Sequence, residues 1–151
     1  MRVTFHKRAL GRCYWEAVRT KRARVPGCQM GGYVRPGALP HDLAQFVVEA
    51  GLGLRHGFWG LVADGATFES LGKRRTREGR AVIRAHRDAL NAAEALVNAE
   101  VQVLEAGGYS VLGEEFDRIA TQWAQLPEGG TLELVWSAPV RDLRRSARTR
   151  S

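Results

Sequence analysis

Hydrophobic residues recur at helical spacing through the middle of the chain. Between Thr76 and Ala106 there is no proline, and no glycine follows Gly79. Two apolar series repeat there every seven residues: Val82, Ala89, Leu96 and Val103, and Ile83, Leu90, Val97 and Leu104. The pattern predicts one amphipathic helix of about 30 residues, about 45 Å long. Such a long apolar face needs cover from the rest of the chain or from a second copy.

Two shorter helices are predicted, one on each side of the long one. The first begins near Pro40, because proline suits the first turn of a helix and Asp42 suits the positive end of the helix dipole. Glycines after residue 50 end it. The second covers residues 113–126, which place apolar side chains on one face. Residues 54–72 are apolar but rich in glycine, so a short helix and a packed turn both remain open.

Alternating apolar and polar residues predict strands at both ends of the chain. Residues 1–8 and 13–24 have the pattern of two strands that form an antiparallel hairpin. Residues 25–39 hold several prolines and glycines, which predicts a loop with room for a short strand at 29–34. Residues 131–136 form a clear strand. We expect it to pair with the hairpin, because a lone strand would leave its backbone groups unpaired.

Together these elements define the expected fold class, which is α+β. A small antiparallel sheet packs on one long helix and two shorter helices in a single domain, residues 1–139. Residues 140–151 are rich in arginine, and we expect a basic, disordered tail. The apolar runs are too short to span a membrane, and the N-terminus lacks the apolar region of a secretion signal. We therefore expect a soluble cytoplasmic protein with no membrane partner.

The net charge of +7 is distributed unevenly. Residues 1–40 carry +8 and residues 140–151 carry +4, whereas residues 107–139 carry −4. The basic ends would attract phosphates or an acidic protein, although a solvated surface with a basic tail explains them too. Tyr14 and Trp15 could stack on bases beside these charges. The candidate residues for nucleic acid or another anion are Arg19, Lys21, Arg22, Arg24, Lys73, Arg74 and Arg75.

The first short helix carries the array that most resembles a metal site. His41, Gln45 and Glu49 are four residues apart and share one helical face. Two turns separate His41 from Glu49, about 12 Å of rise, so one zinc ion would need further ligands from elsewhere. The metal candidates are His41, Glu49 and His56. We favour the alternative that His41 and Asp42 cap the helix while Glu49 is solvated or paired with Arg55.

Other chemistry has little support in the sequence. It contains no nucleophile elbow around a serine and no glycine pattern of a phosphate-binding loop, so no cofactor is expected. Cys13 and Cys28 do not make a disulfide framework, which is typical of a cytosolic protein. A Cys13–Cys28 bridge remains possible if both residues flank a hairpin.

Several segments resemble an uncharacterised bacterial protein family. They are LPHDL at 39–43 with FVVE at 46–49, GFWG at 57–60, and a closing stretch, 123–136, that contains LP, GGTLEL and a final tryptophan. The resemblance covers most of the chain. Because that family has no established activity, it implies a single folded unit rather than a chemistry. In similar members the position of Gln45 is sometimes histidine, and the glutamine here weakens a metal site carried over from them.

We therefore expect a non-enzymatic binding or interaction protein, which could form a homodimer through the long helix. Its partner could also be an acidic protein or nucleic acid. One alternative is a metal-dependent hydrolase centred on His41 and His56. The other is a nucleic-acid-associated protein that uses the basic N-terminal strands.

Overall fold

One face of an antiparallel sheet carries the helices and the core. A computed structural model describes residues 1–9, 12–19, 24–29 and 39–137. The strands are β1 (Arg2–His6), β2 (Tyr14–Val18), β3 (Arg24–Gln29) and β4 (Thr131–Val135). The helices are α1 (His41–Leu52), α2 (Phe58–Ala63), α3 (Arg77–Ala85), α4 (Arg87–Glu105) and α5 (Gly113–Gln125), with a 3₁₀ segment at Glu69–Arg74. The predicted α+β class is confirmed. The predicted tail, 140–151, lies outside the described residues.

The sheet has the strand order β3-β2-β1-β4, and every pair is antiparallel. Phe5 in β1 lies between Trp15 of β2 and Leu132 of β4, on the face that packs against the helices. Val3 and Phe5 are fully buried, as their alternation with polar residues predicts. The expected return of the C-terminal strand to the hairpin is confirmed.

The third strand corrects the prediction for residues 13–39. The second strand ends at Val18, and β3 forms over residues that were expected to be a loop. Pro26 and Gly27 lie together opposite Glu16, where the register shifts by one residue. This is a β-bulge on the outermost strand, and both bulges and edge strands tolerate proline. Most of the short strand expected at 29–34 lies outside the part of the chain that the structure describes.

The expected continuous helix over 76–106 is wrong. It is divided into α3 and α4 at His86, whose backbone leaves the helical region at φ −123° and ψ 23°. Thr76 caps α3 by accepting a hydrogen bond from Gly79 N–H at 2.9 Å, and Gly79 packs against Thr67. Because α3 is fixed to this loop while α4 packs along α1, one straight axis cannot serve both partners.

Aromatic rings fill the centre of the core. Phe5, Phe46 and Trp59 meet in edge-to-face contacts with centroids 5.3–5.8 Å apart. Trp15 meets Trp59 at 4.7 Å, and Trp136 meets Phe46 at 5.4 Å. Edge-to-face packing of this kind stabilises a core beyond the apolar area that it buries. No helix in the described ranges is both long and apolar enough to cross a membrane.

Residues 54–72, for which the sequence allowed either a short helix or a packed turn, contain both. They form α2 and most of the 3₁₀ segment. Gly60 is buried within α2, directly against the backbone of Arg55. The glycine is needed there because the two backbones approach more closely than a side chain allows.

We predict that Gly60→Ala lowers the free energy of unfolding by about 2 kcal/mol or more, because the new Cβ would overlap the Arg55 carbonyl oxygen. Gly113→Ala is the matched control, since its Cβ would meet no atom within 4 Å at the start of α5. It should leave stability unchanged or raise it by up to about 1 kcal/mol. Urea denaturation followed by circular dichroism measures both. Equal midpoints for the two variants would contradict this packing of α2.

Candidate functional site

His41 and Asp42 begin α1 but do not cap it. The N-cap is Pro40, and no side chain bonds to the helix N-terminus there, so the predicted cap is wrong. Asp42 instead accepts a hydrogen bond from Trp15 Nε1 at 3.0 Å. His41 Nδ1 lies 3.6 Å from Asp42 Oδ1, and the nearby carboxylate of Asp42 raises the pKa of His41. The carboxylate is thus already bound within the fold.

Glu49 is fully buried rather than solvated or paired with Arg55, which corrects the preferred prediction. Its Oε2 accepts the backbone N–H of Trp59 at 3.0 Å, in the first turn of α2. Its Oε1 packs against Gly57 and has no hydrogen-bond partner among the described residues. Burial raises the pKa of Glu49 to about 8, more than its hydrogen bonds to the backbone lower it.

His56 lies at the break between α3 and α4. Its ring stacks on His86, with centroids 4.0 Å apart and planes 15° from parallel. Burial lowers the pKa of His56, and the neighbouring His86 and Arg55 lower it further. Parallel rings present their faces to each other, so their nitrogens do not point together at a common ligand.

The structure does not bring the three metal candidates together. His41 lies near Asn98 on α4, while His56 lies against His86 at the start of the same helix. Twelve residues of helix separate these two points, which is about 18 Å. Zinc ligands lie only about 2 Å from the metal. Within the described ranges, no three histidine, cysteine, aspartate or glutamate side chains form a group that could hold a metal ion.

Arg19, a candidate for anion binding, holds the fold together instead. Its Nε donates to the carbonyl of Val62 at 2.6 Å and its Nη2 to that of Ala66 at 3.2 Å. It therefore satisfies carbonyl groups at and beyond the end of α2. Burial lowers the pKa of Arg19. Lys21 and Arg22 lie outside the described residues.

The remaining basic candidates meet at one edge of the sheet. The 3₁₀ segment packs against β3, and Arg74 Nη2 lies 3.5 Å from the Gly27 carbonyl oxygen. Arg24, Lys73 and Arg74 are exposed. Arg75 is half-buried, and its Nε has no partner among the described residues. We call Arg24, Lys73, Arg74 and Arg75 the basic edge.

One of the two apolar series on α4 faces the solvent. Leu90, Val97 and Leu104 are buried, whereas Leu96 is 53% exposed and Val103 is 38% exposed. Exposed alanines continue this surface along the helix. We call it the outer stripe: Ala89, Ala92, Leu96, Ala99 and Val103. Its seven-residue repeat was visible in the sequence, but which of the two series packs inward was not.

A groove beside β4 was not predicted. It has a volume of about 390 Å³ and lies between α1, α5 and the end of β4. Phe46 and Ala50 line it from α1, Ile119 from α5, and Leu134 and Val135 from β4. No sequence pattern could have indicated it, because these segments are far apart along the chain. We call it the edge groove.

Comparison of the chain with protein-family models, with curated proteins and with solved structures finds no significant match. The resemblance to an uncharacterised bacterial family therefore stays a prediction.

We predict that Glu49 makes the protein less stable as the pH rises. The folded state keeps the Glu49 proton up to about pH 8, whereas the unfolded chain releases it near 4.5. The unfolded state therefore binds fewer protons between these pH values, and the free energy of unfolding falls by about 1.4 kcal/mol per pH unit. Glu49→Gln should flatten this slope and raise the midpoint of thermal unfolding at pH 8.

Glu128→Gln, in an exposed turn, is the control and should keep the wild-type slope. Urea titrations between about pH 5 and 8 measure the effect. A wild-type stability that does not change over this range would show that Glu49 is not a protonated, buried carboxyl.

Proposed function

We propose that this protein is a non-enzymatic interaction module that associates with a second copy through the outer stripe of α4. The observation that carries the proposal is the exposure of Leu96 and Val103 in a continuous apolar row. Exposed apolar rows with a seven-residue repeat are typical of helix pairing. The use of Asp42 and Arg19 inside the fold supports binding over catalysis, because both groups already have hydrogen-bond partners there.

A second copy fits the stripe in an antiparallel arrangement. Ala89 and Val103 are each seven residues from Leu96, so a twofold axis near Leu96 would place the alanine of one copy against the valine of the other. Small residues opposite large ones let two helices pack closely. Antiparallel pairing also opposes the two helix dipoles. The members of the stripe carry no charge that self-pairing would bury.

The size of the stripe favours a reversible dimer. From Ala89 to Val103 it is about 21 Å long at 1.5 Å per residue. A strip of this length and one helix in width is smaller than the roughly 800 Å² that each partner buries in a stable interface. We therefore propose micromolar self-association in the cytoplasm. The thiol of Cys13 is free and buried, which is usual for a cysteine in a reducing compartment.

We predict that Leu96→Glu weakens self-association at least tenfold, because the twofold axis would bring two carboxylates together in an apolar interface. The stability of the monomer should change little, since Leu96 is already half exposed. Asn91→Glu adds the same charge on the polar side of α4 and should leave the dimer intact. Sedimentation equilibrium measures the association constant. A wild-type protein that stays monomeric at about 500 μM would exclude the dimer.

A second candidate function is binding of nucleic acid at the basic edge. The specific observation is that the 3₁₀ segment with Lys73 and Arg74 packs against β3, the strand that carries Arg24, about 50 residues earlier in the sequence. Arg24 lies on β3, Arg74 lies against this strand, and both side chains are exposed. Phosphate contacts of this kind are independent of base sequence and depend strongly on salt.

For this function we predict an affinity for mixed DNA or RNA that falls as salt rises from about 50 to 200 mM. The double variant Lys73→Ala with Arg74→Ala should reduce the slope of log affinity against log salt by about two. Arg84→Ala with Arg87→Ala removes the same charge from α3 and α4 and serves as the control. Fluorescence anisotropy gives the slopes. Equal slopes for the two double variants would exclude a specific role of the basic edge.

A further inference from the structure

Two large hydrophobic side chains of the loop between α4 and α5 lie almost wholly in water. Tyr109 is 93% exposed and Val111 is 79% exposed. A packed aromatic side chain buries about 150–250 Å², so this loop leaves the area of a complete core residue uncovered. Tyrosine is also enriched among the few residues that carry most of the binding energy of an interface. The loop therefore has the character of a contact surface.

The backbone holds Tyr109 in a fixed position. On one side of it, Gly108 N–H donates to the Val103 carbonyl of α4 at 2.9 Å. On the other side, Ser110 donates to the carboxylate of Glu100, which is also on α4. Because the residues before and after Tyr109 are both bonded to the same helix, little conformational freedom would be lost when a partner covers the ring.

These contacts place Tyr109 at one end of the outer stripe. Gly108 packs on the side chain of Val103, the last member of the stripe. Glu100 is three residues before Val103, so helical spacing places it about 60° round the helix, toward the buried series that ends at Leu104. The ring of Tyr109 thus borders the stripe on the side that faces the core.

The antiparallel pairing of two stripes determines what this ring meets. The twofold axis sets Val103 of one copy opposite Ala89 of the other. His86 is three residues before Ala89 in the chain. Glu100 has the same offset from Val103, so His86 and Glu100 lie on the same side of the stripe. A twofold axis perpendicular to the two helices brings this side of both stripes together. Tyr109 would therefore lie next to Ala89 and His86 of the second copy.

The second copy offers a fitting surface at this point. The small side chain of Ala89 leaves room for an aromatic ring beside it. His86 is stacked on His56, with centroids 4.0 Å apart, and both rings are half-buried. Part of the stacked pair is thus open to a further ring, and flat aromatic groups pack favourably on one another.

We propose that Tyr109 of each copy packs on Ala89 and His86 of the other and fixes the antiparallel direction of the dimer. This inference rests on the proposed self-association through the outer stripe, and it adds a contact at both ends of that stripe. Parallel pairing would bring the two Tyr109 rings to the same end of the dimer, away from the stacked histidines. The ring thus selects the direction of pairing as well as adding area.

The area of the interface is the reason to assign a second copy to this loop. The stripe alone is smaller than the roughly 800 Å² that each partner buries in a stable interface. Each copy contributes one tyrosine ring and receives another, and each ring can bury about 150–250 Å². A second copy is the partner that covers the ring and the stripe in one continuous contact.

We expect Tyr109→Ala to weaken self-association at least about tenfold, since it removes an interface aromatic at each end of the dimer. Tyr109→Phe should keep the wild-type association constant within about twofold, because the ring makes the contact. Val135→Ser is the control: it removes an exposed hydrophobic side chain from β4 and should dimerise normally. Sedimentation equilibrium measures the association constants, and circular dichroism confirms that each variant folds.

A double-mutant cycle locates the contact. Within one chain, Tyr109 and His86 lie at opposite ends of α4, which is about 28 Å long, so they can touch only across the dimer. His86→Asn removes the ring and keeps a residue that accepts a non-helical backbone. Alone, it should weaken association at least about threefold, but added to Tyr109→Ala it should have little further effect. Additive losses would overturn this contact.

The NMR signals of the histidine rings provide a measurement that needs no change at His86. A tyrosine ring that packs on His86 shifts the His86 signal as the dimer forms. In the wild-type protein this signal should therefore move as the protein concentration rises. In Leu96→Glu it should stay at the position of the monomer. A His86 signal that ignores concentration in a dimeric wild-type protein would overturn the proposal.

The outcomes separate this inference from the proposed dimer. A wild-type dimer whose association constant is unchanged by Tyr109→Ala would overturn the inference and leave the dimer standing, and the loop would then serve a different partner. An equal loss in Tyr109→Ala and Tyr109→Phe would overturn it too, since the hydroxyl rather than the ring would make the contact. A wild-type protein that stays monomeric at about 500 μM would exclude both.

Discussion

Two tryptophan indoles lie inside the aromatic core, and each indole N–H must find an acceptor there. Trp15 Nε1 donates to the carboxylate of Asp42, and Trp59 Nε1 donates to the backbone carbonyl of the same residue, both at 3.0 Å. The sheet, α1 and α2 are thus joined at one position. An indole N–H left without an acceptor would cost about 1–3 kcal/mol. The relative placement of the three elements is therefore fixed by hydrogen bonding as well as by apolar contact.

Polar side chains also join elements in the rest of the described core. Glu49 accepts a hydrogen bond from the Trp59 N–H in the first turn of α2, and Arg19 donates to the Val62 carbonyl near the end of that helix. Lys7 donates to the carbonyl of Trp123 at 2.7 Å near the end of α5 and lies over the indole of that residue. Two of the site candidates from the sequence, Glu49 and Arg19, thus bind backbone groups that would otherwise be unpaired, and they join separate elements of the fold.

The sequence predicted the elements where a regular period or a strong terminator exists. Period-two alternation predicts β1 and β4, and proline and glycine predict the ends of α1. The break at His86 was not predictable, because the apolar period continues through it and no proline or glycine occurs there. The helix divides where its packing partner changes from the loop at Thr67 to α1, which is a tertiary feature. For the candidate site, a glutamate at helical spacing among polar residues suggests exposure. The burial of Glu49 depends on Gly57 leaving room for its carboxyl, and their closeness in space has no local signature.

The two edges of the sheet lie at opposite ends of the strand order, at β3 and β4. Exposed arginine and lysine side chains gather beside β3. The width of the sheet separates them from β4, where Glu133 lies 3.7 Å from Arg2. An anion held beside β3 would therefore leave the backbone of β4 accessible from the surrounding solution.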